Sequence, residues 1–143
     1  MARIEHTLVV DRPPDDLYAY LEDGERLTEW MGDEFRRVER AGDAFRYETT
    51  RGVKSTWRWV EQERPRRLVW RGERVTPMGP LGSVVPSGDY TLEPEGGGTR
   101  VHAVLAPQTG GLLKAFDPLL ARSLRKKWPE QLERMRRAVE SGA

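Results

Sequence analysis

The stretch Leu112–Ala143, LLKAFDPLLARSLRKKWPEQLERMRRAVESGA, decides the reading of this chain. Within it Leu113, Phe116, Leu120, Leu124, Trp128, Leu132, Met135 and Val139 recur at steps of three or four. That spacing draws one apolar stripe down one side of an α-helix, and the stripe needs a partner surface. Asp117 followed by Pro118 reads as N-cap and first helical position, so a helix is expected from about Pro118 to about Glu140. At ~1.5 Å per residue it would be about 35 Å long, enough to cross a small domain. Pro129 lies inside it, has no amide hydrogen to donate, and predicts a kink or widened turn around Arg125 to Trp128; the alternative is a new helix beginning at Pro129. Glu130 with Arg134 and Glu133 with Arg137 stand at i,i+4 in the favourable order, which supports continued helix.

Working outward from that helix, the preceding chain is mostly strand-like. Ile4, His6, Leu8 and Val10 alternate with Arg3, Glu5, Thr7 and Val9, the period-two signature of a half-buried strand. Pro13-Pro14 ends it, and Asp15 and Asp16 open a short helix where acids meet the positive end of the dipole. Leu17, Tyr18, Tyr20 and Leu21 supply its buried side and Gly24 stops it. Leu27 and Trp30 suggest a second short helix from Glu25, with Trp30 plugging the junction between the short helices and a sheet. Strands then follow with turn signals between them: Phe35–Arg40, then Phe45, Tyr47 and Thr49, then Ser55, Trp57, Trp59 and Glu61, then Leu68, Trp70, Gly72 and Arg74. Tyr90 and Leu92 form another, and Val101, Ala103 and Leu105 return after the glycine-rich turn Pro94 to Gly98. Thr76 to Ser87, TPMGPLGSVVPS, reads as a long mobile loop. Simple hairpin registers put Phe45, Tyr47, Trp57, Trp59, Leu68 and Trp70 on one face and Arg46, Glu48, Arg58 and Arg71 on the other, as in an antiparallel sheet with one side in water.

Composition narrows the class. The 143 residues suit one domain, 1–143, able to bury a core without staples. No apolar run approaches the ~20 residues needed to span a bilayer, so no integral membrane segment is expected. The first ten residues lack the features of a signal peptide. Together with the absence of cysteine, which excludes thiol chemistry, this gives a cytoplasmic address as the expectation. The net charge of +1 hides an asymmetry: nine acids against two Arg from Asp11 to Glu34, but eight basic residues against three acidic from Leu112 to Arg137. Either the two helical regions compensate each other, or the run Arg122, Arg125, Lys126, Lys127 meets phosphates or an anionic membrane.

The order strand, two short helices, six strands, long helix resembles the START-like or SRPBCC superfamily, on the side of its bacterial polyketide cyclase/dehydrase and lipid-transport branch. Four phrases carry the resemblance: Val10-Asp11-Arg12-Pro13-Pro14-Asp15-Asp16-Leu17-Tyr18, Leu27-Thr28-Glu29-Trp30, Val60-Glu61 through Pro65-Arg66-Arg67-Leu68, and Leu92-Glu93-Pro94 through Gly98-Thr99-Arg100-Val101. It implies an α+β helix-grip fold: a seven-stranded curved antiparallel sheet wrapped around the C-terminal helix, with two short helices between strands 1 and 2. It also implies a cavity between sheet and helix for a small hydrophobic or aromatic molecule, lipid, polyketide or steroid-like.

The ligand-binding candidates are Phe45, Tyr47, Trp57, Trp59, Trp70 and Tyr90 on the sheet, Phe116 and Leu120 on the helix, and His6; each ring could equally be core packing. The first half of the helix, Leu113 to Leu124, is the expected opposite and movable wall, entered past Thr76 to Ser87. His6 and His102 have opposite parity, which argues against a paired histidine site, and without Cys or HExxH no metal is expected. GxSxG, GxxxxGK[ST] and a dinucleotide GxGxxG are absent. No cofactor or nucleic acid is expected and no catalytic residue is assigned, although the cyclase resemblance leaves Tyr47, Arg74, Asp89 and Tyr90 as nominal proton-moving groups. Three functions follow: a carrier or sensor of an apolar ligand, a cyclase or dehydratase, or a module that docks on a protein or membrane through the basic helix. Association as a homodimer is left open.

Overall fold

The computed structural model describes residues 3–77 and 79–142. The chain runs β1 (Ile4–Val10), α1 (Pro14–Glu22), a 3-10 helix (Gly24–Glu29), β2 (Phe35–Ala41), β3 (Ala44–Thr49), β4 (Lys54–Glu63) and β5 (Arg67–Gly72). After a short 3-10 turn at Gly79–Leu81 come β6 (Gly82–Val85), β7 (Ser87–Glu95), β8 (Gly98–Leu105), β9 (Gln108–Gly111), a 3-10 turn at Leu112–Phe116 and α2 (Asp117–Glu140). Seven strands form one antiparallel, curved sheet in the order β1-β8-β7-β5-β4-β3-β2. The fold is therefore α+β of the helix-grip kind, with α1 and the first 3-10 helix between β1 and β2.

The long helix is continuous through Pro129, which excludes a new helix starting there. Its stripe is unevenly used. Trp128, Leu132, Met135 and Val139 are buried in the main core with Ile4, Val10, Leu68, Leu92 and Val101, whereas Leu124 is half-buried and Phe116 is 51% exposed. Asp117 is not the N-cap. The cap position falls on Phe116, and the Asp117 carboxylate, one residue into the helix, accepts the Thr109 hydroxyl, a bond that holds its pKa below the usual carboxylate range. The helix is thus tied at its start to β9.

Two further readings change. Thr76 to Ser87 is not simply a loop, because Gly82–Val85 pairs antiparallel with Gln108–Gly111 as a separate two-stranded sheet, and Val75 bridges Val84. Gly24 stays buried but has no positive φ; it opens the 3-10 helix with its Cα against rings, and an added Cβ would lie 2.6 Å from Trp57 Cζ2 and 2.9 Å from Phe45 Cδ1. Its small size answers a close approach, not a helix stop.

The sheet's alternation holds up to Trp59, which pairs with Trp70. A bulge at Val60 then shifts the register, so that Gln62 pairs with Leu68 and turns to the inner face. There the Gln62 amide donates to Glu22 of α1 at 3.0 Å.

The segment following the short helices is fastened to α2 by two acids, Asp33 with Arg134 and Glu34 with Lys127, of which Asp33 makes the closer contact. Asp33 lies 3.1 Å from Arg134 and accepts a long contact of 3.5 Å from Gln131. Partial burial pushes its pKa up, but Arg134 and Gln131 outweigh that and leave it lowered. A lowered folded pKa stabilises above the unfolded value of ~3.9 and is lost as pH falls through the folded value. With about 40% of the side chain in solvent the pair contributes less than ~1 kcal/mol. Asp33→Asn should therefore cost that small amount in urea unfolding at pH 7, and the gap from wild type should shrink below about pH 4. A gap that stays constant into acid would remove this ion pair from the account.

A candidate ligand cavity

The registers Phe45↔Trp57 and Trp59↔Trp70 bring four large rings together on the inner face. Phe45 stacks on Trp57 at 4.5 Å and 19°, Trp59 meets Trp57 edge-on at 4.9 Å, and Trp70 approaches it at 6.2 Å. Offset stacks and edge contacts of this kind fix ring orientation as well as burying area. Trp59 is further held by its indole N–H, which donates to the Glu22 carbonyl at 3.1 Å. Trp70 lies across Gly88 of the neighbouring strand, whose missing side chain leaves room for the indole: an added Cβ would be 2.7 Å from Trp70 Nε1 and 2.4 Å from the Val104 carbonyl oxygen.

In front of these rings is a cavity of about 100 Å³. Of the expected ligand residues, Tyr47, Trp57, Trp59, Trp70 and Tyr90 reach its wall. Phe45 does not; it sits behind Trp57, 1% exposed, and supports that ring. Phe116 and Leu120 do not reach it either, because the helix turns its early stripe away, leaving Phe116 in solvent and Leu120 half-buried. His6 is half-buried near Glu133 of α2, and His102 stands on the outer face between Thr7 at 2.8 Å and Glu5 at 2.9 Å.

The wall opposite the sheet is therefore different from the one expected. Half of the lining comes from the stretch between Tyr20 and Phe35, chiefly Tyr20, Leu27, Trp30 and Met31, and the long helix contributes Trp128 alone. Trp128 also contacts Trp30 at 6.0 Å between ring centroids, so the plug residue and the helix meet at the cavity's edge. Sequence reasoning assigned Leu27 and Trp30 to structure only. The signal that could have moved them was their place in the one segment free to fold over an aromatic sheet face.

The cavity's polar groups are few and mostly donors. Trp57 Nε1 is buried and has no hydrogen-bond partner among the described residues. Tyr90 is 5% exposed, and burial, with Asp89 beside it in sequence, pushes its phenol well above the ordinary range, so it stays protonated at neutral pH. Burial likewise raises Tyr47, against the opposing hydrogen bond from Ser55. Asp23 is the one charged residue on the wall and no basic residue lines it. The other nominal proton-moving groups lie elsewhere: Arg74 donates to Ser83 at 2.8 Å, and Asp89 pairs with Arg67 at 3.6 Å. Among the described residues no three His, Cys, Asp or Glu side chains are grouped so as to hold a metal ion, and no helix is long and apolar enough to cross a membrane.

Comparison with solved structures shows the same architecture at low identity. A protein from Mesorhizobium loti superposes with a TM-score of 0.74 at 14% identity, with 99% of this chain and 98% of that one covered. The Aha1 dimer from Colwellia psychrerythraea gives 0.70 at 17%, covering 99% and 98%. The di-domain ARO/CYC protein BexL of the BE-7585A biosynthetic pathway gives 0.75 at 20%, covering 98% of this chain and 47% of that one, so this chain spans about half of that protein. No curated protein matches the chain. The family model for polyketide cyclase / dehydrase and lipid transport matches residues 1–140. With the helix-grip architecture and nearly the whole sequence in agreement, this chain belongs to the polyketide cyclase/dehydrase and lipid transport family.

Proposed function

We propose that the protein binds a small hydrophobic or aromatic molecule in the cavity between the sheet and the Tyr20–Phe35 segment, as a carrier or sensor. The observation that carries this reading is a ring-lined space, one of whose lining residues, Trp57, has a buried indole N–H with no partner among the described residues. Such a donor costs about 1–3 kcal/mol to leave unmade, and a ligand oxygen would satisfy it. Apolar cavities of about 150 Å³ take up benzene-sized molecules, so about 100 Å³ suits roughly one ring or a short chain segment. A lipid, polyketide or steroid-like molecule requires the Gly24–Glu34 stretch to move outward, and that stretch is a 3-10 helix and turns rather than sheet. The lack of a basic lining residue disfavours a ligand with a buried carboxylate or phosphate.

Native mass spectrometry of the purified protein is the first test, with a retained apolar molecule as the expected result. Titration with acetophenone and toluene is the second, since the two differ by the carbonyl acceptor. Trp57→Phe should weaken acetophenone roughly tenfold and leave toluene unchanged. Equal loss of both, or of neither, would remove the indole N–H from the site.

One observation favours a second reading, a cyclase or dehydratase: the protonated Tyr90 phenol at the cavity wall could donate a proton. Tyr90→Phe would then stop turnover while ligand binding persisted; unchanged turnover in that variant counts against it.

A further inference from the structure

Among the described residues few large apolar side chains are exposed to water, and four of those six gather in one place. Leu81 is 40% exposed, Leu112 65%, Phe116 51% and Leu119 63%. Gly82 pairs with Gly111, so Leu81 and Leu112 stand on the next rung beyond the end of the two-stranded sheet. An added Cβ at Gly111 would lie 3.5 Å from the Leu81 carbonyl oxygen, which shows how closely the two turns approach. Phe116 and Leu119 follow Leu112 at steps of four and three. The result is an exposed apolar patch, none of whose four residues lines the cavity.

The same helix face continues as charge. Arg122 and Lys126 extend the run from Leu119 at steps of three and four, with Arg125 beside them, and all three are exposed. Further along the helix Lys127 pairs with Glu34, Arg134 with Asp33, and Arg136 with Glu133 and Glu140. Among the described residues no carboxylate lies within salt-bridge distance of Arg122, Arg125 or Lys126. The single acid between Leu112 and Lys127 is Asp117, whose carboxylate accepts the Thr109 hydroxyl.

We propose that this end of the molecule docks on the surface of an anionic phospholipid bilayer, with Leu81, Leu112, Phe116 and Leu119 entering the acyl boundary and Arg122, Arg125 and Lys126 at the level of the phosphates. An exposed apolar patch with cations one to two turns behind it matches the layering of a bilayer interface, apolar below and anionic above. The leucines stand on two abutting turns, and the unpaired cations behind them complement an anionic surface. The inference is independent of what the cavity takes.

Co-sedimentation of the full chain with vesicles of 70% phosphatidylcholine and 30% phosphatidylglycerol, at about 0.15 M salt, tests it. Binding is expected there and should be much weaker on pure phosphatidylcholine. Each cation near such a surface strengthens partition by roughly fivefold, so Arg122→Gln, Arg125→Gln and Lys126→Gln together should weaken it about a hundredfold. Phe116→Ser with Leu119→Ser should reduce it about tenfold or more, with no large loss of thermal stability, because both side chains are at least half in water and serine suits the helix cap at position 116. Three results would overturn the proposal: no sedimentation with anionic vesicles, sedimentation indifferent to Phe116→Ser with Leu119→Ser, or a dimer in native mass spectrometry that disappears in those same variants while vesicles are ignored.

Discussion

Replacing Gly24 by valine is expected to abolish uptake of a ring-sized ligand while the protein stays folded. A Cβ at this position meets Trp57 Cζ2 at 2.6 Å, Trp57 Cη2 at 2.8 Å and Phe45 Cδ1 at 2.9 Å. All three atoms belong to side-chain rings, so the conflict is relieved by ring movement rather than by breaking a backbone ladder. Phe45 is 1% exposed and packed behind Trp57, which leaves the cavity as the space into which the indole can swing. With only about 100 Å³ available, one displaced indole edge and two extra methyl groups fill it. Overpacking of this kind costs about 1–3 kcal/mol, within the margin of a typical domain. Toluene titration followed by NMR is the measurement, with circular dichroism as the control for folding. Unchanged uptake in a folded Gly24→Val protein would mean that the ligand does not use the space before Trp57.

The largest loss of stability should come from Trp128→Ala. Trp128 is 1% exposed, and it packs on Trp30 at 6.0 Å. Its indole N–H also points at the Ala103 carbonyl at 3.5 Å, a distance at the limit of a hydrogen bond and worth little. The loss is therefore almost all burial and cavity formation, about 3–5 kcal/mol for a large aromatic truncated to alanine. Thermal unfolding should fall by roughly 10 °C for a chain of this size. Because Trp128 also lines the cavity, the same variant should accept ligands larger than one ring. A loss under about 1 kcal/mol would show that the helix is not anchored through this side chain.

Both residues bear on what the amino-acid order reveals. The seven strands of the sheet, the long helix and the parity of its rings were legible because period-two and period-3.6 patterns are local, and the hairpin turns carry Gly, Pro and Asp. The small sheet of β6 and β9 was not, since four-residue strands such as Gly-Ser-Val-Val and Gln-Thr-Gly-Gly carry no periodicity; their pairing depends on where β8 delivers the chain. The bulge at Val60 was equally silent, because one extra residue leaves the alternation intact on either side of it. As for the candidate site, aromatic parity located one wall. The other was misplaced because an apolar stripe says that a helix is buried, not along which half or against what. Trp128 to Val139 uses the stripe on the core, and Leu113 to Leu124 mostly does not.

The pairing of β1 with β8 bears on how the chain is made. Val10 leaves the ribosome long before Gly98, the first residue of its partner strand, and Ile4 must wait for Leu105. At roughly 5–20 residues per second, that is about five to twenty seconds during which Ile4, Leu8 and Val10 have no ladder and no long helix to cover them. Local hairpins from β2 to β5 can form in that interval, because their contacts are near in sequence, whereas β1 pairs over the longest loop of any two strands in the sheet. Arg3, Glu5 and Thr7, which alternate with the apolar residues of β1, have a task in that interval: they keep an unpaired strand from finding another copy of itself.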